Sequence, residues 1–383
     1  MKRNILFIML MVAIVWSFIR YSYSYDETEI RMGMSAPLSG DLSELGNNFY
    51  MGANAFFQDL NEKGGVYGRP IKLLVKNDKY EPKLAVENVK EFIEKEKVFA
   101  LFGVVGTPTA KAVLPLALQN KVPFLAAVTG AKFLREPRNA MILNVRKGYH
   151  NEIDALLGYI VDTMKRKRIA VFYQNDSFGH TGIQSTKELL AKRGMGLVGE
   201  GSYKRNTLAV GHAIYEIENT RPDAIIMISA AKPAAEFIKR VRKSDILKDA
   251  MVGVISFGGA ELIVRDLDKQ AQNIIFSQVV PLPWSESIDT GHYKRQMAKF
   301  YPTAPLGFAS LEGFFAAKMV TSVFRKIGKD FSHDSFIDAL HDIPKEIFQD
   351  KSILIKDNSC GCLDTIYVTR YTSKGFEVIG ESQ

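Results

Sequence analysis

Short apolar runs alternate with longer amphipathic stretches along most of the chain. Ile30–Ala36, Ile71–Lys76, Val98–Gly103 and Val122–Val128 read as strands, being brief, aliphatic and closed by Gly, Pro or Asn. Between them, Asn47–Lys63 places Phe49, Ala53, Phe56, Phe57 and Leu60 on one helical face and stops at Gly64-Gly65. Pro82–Glu96 opens with Pro in its first turn and turns Ala85, Val86, Val89, Phe92 and Ile93 inward. Pro108–Gln119 is the third helix. Strands separated by helices of 12 to 17 residues predict a parallel sheet covered on both faces.

The pattern then restarts. Helices are expected over Asn151–Met164, Thr181–Arg193, Val210–Asn219 and Pro233–Lys243. Strands are expected over Arg168–Gln174, Leu197–Tyr203, Ala224–Ser229, Met251–Ile255 and Ile274–Val280. After Pro281-Leu282-Pro283-Trp284 come helices near Gly291–Tyr301, Ala309–Ile327 and Asp334–Ile343. Strand-like segments follow at Lys351–Ile355, Asp364–Tyr371 and Gly375–Ile379. The fold class is therefore α/β with two lobes of similar size. No low-complexity tether separates them, which points to several short crossings.

Composition changes the picture at the ends. Lys2 and Arg3 precede an apolar run from Ile5 to Ile19, and Ser22-Tyr23-Ser24 supplies small residues at its exit. This reads as a secretory signal over residues 1–24. Its core of about 15 residues is short for a bilayer span of about 20. The chain of 383 residues carries a net charge of +8, and three of those charges sit in or beside the leader. The remaining basic residues are scattered. The run Lys165-Arg166-Lys167-Arg168 reads as a solvated helix end, so no nucleic-acid partner is expected. Cys360 and Cys362 are too close to staple distant elements; a surface turn with two thiols is expected there, with a metal or redox site as the alternative.

Open parallel sheets bind ligands outside the C-terminal ends of their strands, so the strand-end loops carry the candidate chemistry. In Gly103-Val104-Val105-Gly106-Thr107-Pro108, glycines permit a tight turn, Thr107 is placed as an N-cap and Pro108 fits the first helical position. Free N–H groups there suit a carboxylate, although ordinary capping explains the same residues. Val128-Thr129-Gly130 follows the next strand. Gln174-Asn175-Asp176-Ser177-Phe178-Gly179 puts an aromatic ring in a polar loop, where Phe178 either closes over a ligand or packs beneath the loop. Ser256-Phe257-Gly258-Gly259 repeats that combination. Catalysis has little support: there is no Gly-x-Ser-x-Gly elbow, no Walker loop and no His-Glu-x-x-His, and the six histidines are scattered. No enzyme, metal or cofactor is expected.

These loops, with Gly33-Met34-Ser35-Ala36-Pro37-Leu38-Ser39-Gly40, Leu45-Gly46, Gly52-Ala53, Asn61-Glu62-Lys63-Gly64-Gly65-Val66-Tyr67-Gly68-Arg69-Pro70, Asn77-Asp78 and Val122-Pro123, resemble the type I periplasmic solute-binding proteins. Within them the similarity is to the branched-chain amino-acid and amide-binding group that serves ABC importers. It runs from about Ile30 to Ile379 and is most specific in the N-terminal block.

The resemblance implies two Rossmann-like lobes joined by three hinge crossings, with ligand in the cleft between them. The crossings fall near Asn144–Lys147, Ser277–Pro283 and Phe348–Ile353. Lobe one would be 29–145 with 281–350, and lobe two 146–280 with 351–383. It further implies that Gly106 and Thr107 hold a ligand carboxylate and that Val128, Thr129 and Gly130 add contacts. Leu45 would pack from one rim, and Phe178, Ala230, Ser256 and Phe257 would come from the other lobe. The chain departs from amino-acid binders where Ile255-Ser256-Phe257 replaces an acidic loop and Ala230-Ala231 an aromatic one. A buried ammonium without a counter-charge is costly, so a carboxylate with an apolar body or a neutral amide fits better. Glu261 or Asp176 are the acids that would supply the charge in another register. The expected function is periplasmic capture of a small organic solute by a monomer and its delivery to an ABC transporter permease. The alternative is a ligand-sensing receptor for a chemoreceptor or sensor kinase.

Overall fold

The computed structural model describes residues 28–382 except 330, 331, 341, 352 and 356–362. The signal over 1–24 and the Cys360–Cys362 turn lie outside the described residues. No helix among the described residues is long and apolar enough to cross a membrane.

The first sheet contains β1 (Ile30–Ala36), β2 (Ile71–Asn77), β3 (Ala100–Phe102), β4 (Phe124–Leu125) and β5 (Ile142–Leu143) in the order β2-β1-β3-β4-β5. All its pairings are parallel. Helices α1 (Ser43–Glu62), α2 (Pro82–Glu94) and α3 (Thr107–Gln119) connect these strands. β1 is buried on both faces apart from Arg31, as its unbroken run of small and aliphatic residues requires.

After α4 (Tyr149–Leu157), whose last turns widen into a π-helix over Gly158–Thr163, the second sheet begins. Its strands are β6 (Ile169–Gln174), β7 (Gly199–Tyr203), β8 (Ala224–Ile228), β9 (Met251–Val254) and β10 (Ile274–Gln278), all parallel. The hairpin β11 (Ile366–Thr372) and β12 (Gly375–Ser382) adds antiparallel beside β10, giving the order β12-β11-β10-β9-β8-β6-β7. Helices α5 (Ser177–Lys192), α6 (Gly211–Asn219), α7 (Ala231–Val241) and α8 (Ala260–Leu267) link the strands.

Between β10 and β11 the chain returns to the first sheet as α9 (Ile288–Phe300), α10 (Phe308–Ile327) and α11 (His333–Ala339). α10 packs tightly on α1. A Cβ on Gly52 would stand 1.7 Å from the Ser310 carbonyl oxygen, and one on Gly313 2.1 Å from that of Phe49. Only glycine allows the two backbones so close.

Several expected boundaries move. α1 and α5 each start about a turn earlier than their apolar periodicity indicates, which takes Leu45 and Phe178 out of loops and into first helical turns. β3 and β4 are shorter than expected. β5 and α8 were not expected: two residues carry too little pattern, and Gly258-Gly259 masked the helix start. Among the described residues of Lys351–Ile355 no strand is present; Ile355 makes one isolated bridge to Leu363.

The segments joining the two halves are held by buried polar groups. Arg146 forms a bidentate pair with Glu312 on α10, at 2.8 and 2.7 Å. Lys147 meets Asp364 at 2.7 Å, and Leu363 N–H donates to the Val145 carbonyl at 2.8 Å. Burial opposes the charge of Arg146, but the field and bonds of Glu312 carry its pKa above the usual arginine value.

Candidate functional site

The loops that end β3 and β4 meet at the start of α3. Gly106 precedes the helix at φ +97°, a left-handed conformation that glycine adopts freely. A Cβ there would also collide with the Tyr80 ring at 2.2 Å. Gly106 N–H donates to the Val128 carbonyl at 3.1 Å, binding the two loops together. Thr107 is the first helical residue, not the expected N-cap. Its hydroxyl is free of capping and instead lies 2.7 Å from the Thr129 hydroxyl. The Tyr149 phenol joins both, 3.2 Å from Thr129 Oγ1 and 3.5 Å from Thr107 Oγ1. Tyr149 N–H donates to the Gly130 carbonyl at 2.9 Å, which fixes the ring over that loop. First-turn N–H groups of a helix lack intrahelical acceptors and favour an anion. Three neutral hydroxyls and a helix start therefore converge at one point.

Four aromatic rings continue from there. Tyr149 lies 5.3 Å from Phe178, Phe178 lies 4.7 Å from Phe257, and Phe257 lies 6.2 Å from Tyr80, centroid to centroid. All four are buried. Phe178 sits in the first turn of α5 because Asp176 caps that helix, accepting from Phe178 N–H at 2.9 Å. Ser256 N–H donates to Glu152 on α4 at 2.8 Å, and the Ser277 hydroxyl to the same oxygen at 2.7 Å. Ala230 N–H donates to the Tyr203 hydroxyl at 3.0 Å, and that hydroxyl donates to Gln174 at 3.1 Å. Gln174 in turn donates across to the Tyr80 hydroxyl at 3.2 Å. Leu45 is buried on the first turn of α1, next to Glu44.

Thus Gly106, Thr107, Val128, Thr129 and Gly130 form one wall, and Phe178 and Phe257 are linked to it through Tyr149. Leu45, Ala230 and Ser256 lie on three other elements, Ala230 bonded to Tyr203 and Ser256 to Glu152. Tyr80, Tyr149, Gln174 and Glu152 were not singled out from the sequence. A signal existed for two of them: Tyr80 follows the end of β2 by three residues, and Tyr149 opens a helix directly after Gly148.

Charges span the gap between the lobes. Arg205, after β7, pairs with Glu81 ahead of α2 at 3.0 Å and with Asp176 at 3.1 Å. Arg265 on α8 reaches Glu44 on α1 at 2.7 Å, and Lys232 reaches Asp41 at 3.2 Å. Glu261 accepts from Phe308 N–H at 2.6 Å. These contacts show the lobes drawn together. Burial pushes Asp78 up to about 6, against bonds from Tyr80 N–H and the Ser35 hydroxyl that stabilise its charge. Burial likewise raises the carboxyls of Glu152 and Glu261. Among the described residues no group of three or more His, Cys, Asp or Glu is placed to hold a metal ion.

Two parallel-dominated α/β lobes that meet across buried polar and aromatic side chains have the architecture of the two-lobe binding proteins. A family profile described as periplasmic binding protein matches residues 29–359, and the chain belongs to that family. Within it the chain groups with the type I, Leu/Ile/Val-binding members. The Leu/Ile/Val-binding protein homolog 7 of Brucella suis is 24% identical over 314 residues, covering 78% of this chain and 77% of its own. A possible leucine/isoleucine/valine-binding protein from Rhodopirellula baltica superposes with a TM-score of 0.86 at 27% identity, covering 93% of this chain and 98% of that one. A fatty acid ABC transporter substrate-binding protein from Thermomonospora curvata shares the fold, with a TM-score of 0.79 at 17% identity over 93% and 92% of the two chains. These relatives are binding proteins rather than enzymes. The family assigns this chain a solute-binding role and implies an extracytoplasmic location.

Proposed function

We propose that the protein captures a small organic solute, amino-acid-like, carboxylate or amide, in the cleft between its lobes and delivers it to an ABC transporter permease. The observation that carries this reading is the meeting of Thr107, Thr129 and Tyr149 hydroxyls at the start of α3, opposite Phe178 and Phe257. The hydroxyls and first-turn N–H groups take the polar end of the solute, and the rings take its apolar body. Leu45, Gly106, Val128, Gly130, Ala230 and Ser256 complete the walls. The closing lobes are 29–145 with 281–350 and 146–280 with 351–383, and the cross-cleft pair Arg205–Glu81 favours the closed form. The protein works as a monomer, exported through a cleaved signal at residues 1–24.

A thermal-shift panel of amino acids, organic acids and amides identifies the solute, because a tight ligand raises apparent stability by mass action. Thr107→Val and Phe178→Ala should then each weaken its binding by about tenfold or more, a loss of about 1.4 kcal/mol. Full-strength binding by both variants would place the site elsewhere. Uptake by vesicles carrying the cognate permease should depend on the added protein.

A further inference from the structure

We infer that the first lobe carries a second ligand site, outside the cleft, for a small organic anion with two acidic groups and a hydroxyl.

The site is a pair of adjoining cavities of about 340 and 320 Å³. They lie at the C-terminal end of α1, against α9, α10 and the segment that follows α11. Lys63, His292 and Lys318 line both. Leu45 stands in the first turn of α1, and Leu60 on the wall of the second cavity. At about 1.5 Å of rise per residue, Leu60 is about 22 Å further along the helix, well away from the end of α1 that follows β1.

The charges on the walls do not balance. Among the described residues there are four cations, Lys63, Lys318, Arg295 and Arg325, against two carboxylates, Asp59 and Asp289. Both carboxylates are taken. Asp59 meets Lys63 at 2.6 Å and His292 Nε2 at 3.4 Å. Asp289 is buried, pairs with Lys318, and accepts Gln349 N–H at 2.7 Å and Asp350 N–H at 2.8 Å. Arg295 on the first cavity and Arg325 on the second are exposed and have no carboxylate partner among the described residues. A guanidinium binds a carboxylate or a phosphate through two parallel N–H bonds. One unneutralised guanidinium at each cavity therefore suits a molecule with an acidic group at each end.

The other walls specify what joins those groups. Gln296 lines the first cavity, is nine-tenths buried, and its Oε1 has no hydrogen-bond partner. A buried acceptor left unpaired is costly, and a ligand hydroxyl supplies the missing donor. Phe56, Leu60 and Ile347 give the second cavity an apolar wall for a short carbon chain. The His292 ring shared by both cavities is fixed edge-on against Phe56 at 6.3 Å and Phe314 at 5.2 Å.

Titration calorimetry with valerate, glutarate, 2-hydroxyglutarate and 3-phosphoglycerate tests this on the unmodified protein. 2-Hydroxyglutarate or 3-phosphoglycerate should bind at least about tenfold tighter than valerate, and whichever is tighter tells a dicarboxylate from a phosphorylated acid. Glutarate should bind about fivefold more weakly than 2-hydroxyglutarate, and Gln296→Leu should remove that difference. The His292 ring-proton NMR signals, assigned with His292→Asn, should shift as the dianion is added. Arg295→Gln and Arg325→Gln should each weaken the dianion about fivefold or more. Both arginines are exposed and lack an acidic partner, so the double variant should fold and bind the cleft solute as the parent does. Binding of neither 2-hydroxyglutarate nor 3-phosphoglycerate would overturn the inference. So would binding that leaves the His292 signals unmoved, full-strength binding by the double arginine variant, or 2-hydroxyglutarate binding no tighter than glutarate.

Discussion

Replacing Glu312 by Leu should destabilise the protein far more than replacing Glu312 and Arg146 together. The two side chains are 2% and 5% exposed and share two bonds, at 2.8 and 2.7 Å. Removing one partner strands a buried charge, which costs about 3–5 kcal/mol in such pairs. Arg146 also feels the more distant charge of Glu152, which places Glu312→Leu near the lower end, at about 3 kcal/mol. For a lobe of this size that corresponds to a melting temperature lower by about 6–12 °C. The double variant Arg146→Met with Glu312→Leu removes both desolvation penalties and fills the space with apolar atoms. It should return to within about 1 kcal/mol of the parent. Thermal and urea unfolding followed by circular dichroism measure both. The reasoning fails if Glu312→Leu loses less than about 1 kcal/mol, or if the double variant is as unstable as the single one. The outcome bears on function because the pair anchors the first connection between the lobes to a helix of lobe one.

Two further outcomes follow from the electrostatics. Asp78 has a folded pKa of about 6 against 3.8, so its stabilising contribution is present below about pH 4 and is lost as the pH rises through about 6. The gap is worth about 3 kcal/mol, and Asp78→Asn should abolish that part of the pH dependence; urea midpoints with an unchanged pH slope would contradict it. Glu81→Gln removes the partner of Arg205 on the far lobe while leaving Asp176 in place. Losing about 1 kcal/mol of closure should weaken solute affinity about fivefold at low salt and much less at high salt, read by calorimetry at both ionic strengths.

Much of the fold was legible because its signals are local. β1 and β8 are continuous apolar runs, Pro82 opens a helix, and Gly64-Gly65 stops one. What was misjudged were boundaries and roles. Phe178 stands among polar residues in sequence, yet it is fully buried because Asp176 starts the helix there and the ring meets Tyr149 and Phe257. Thr107 has the composition of a cap, yet Gly106 takes the capping position and leaves the hydroxyl to bond Thr129.

By itself the sequence determined the two-lobe α/β plan and the loops that end its strands, since hydrophobic period and turn chemistry act over neighbouring residues. Only the tertiary structure decided that Tyr80 and Tyr149 complete the aromatic wall, that Arg205 bridges the lobes, and that α10 returns to pack on α1. It also decided that Asp176 and Glu81 are both bonded by Arg205 and that Glu261 accepts from Phe308 N–H. Those outcomes depend on groups up to 261 residues apart, as Gly52 and Gly313 are, and on distances of a few ångströms that no local pattern encodes.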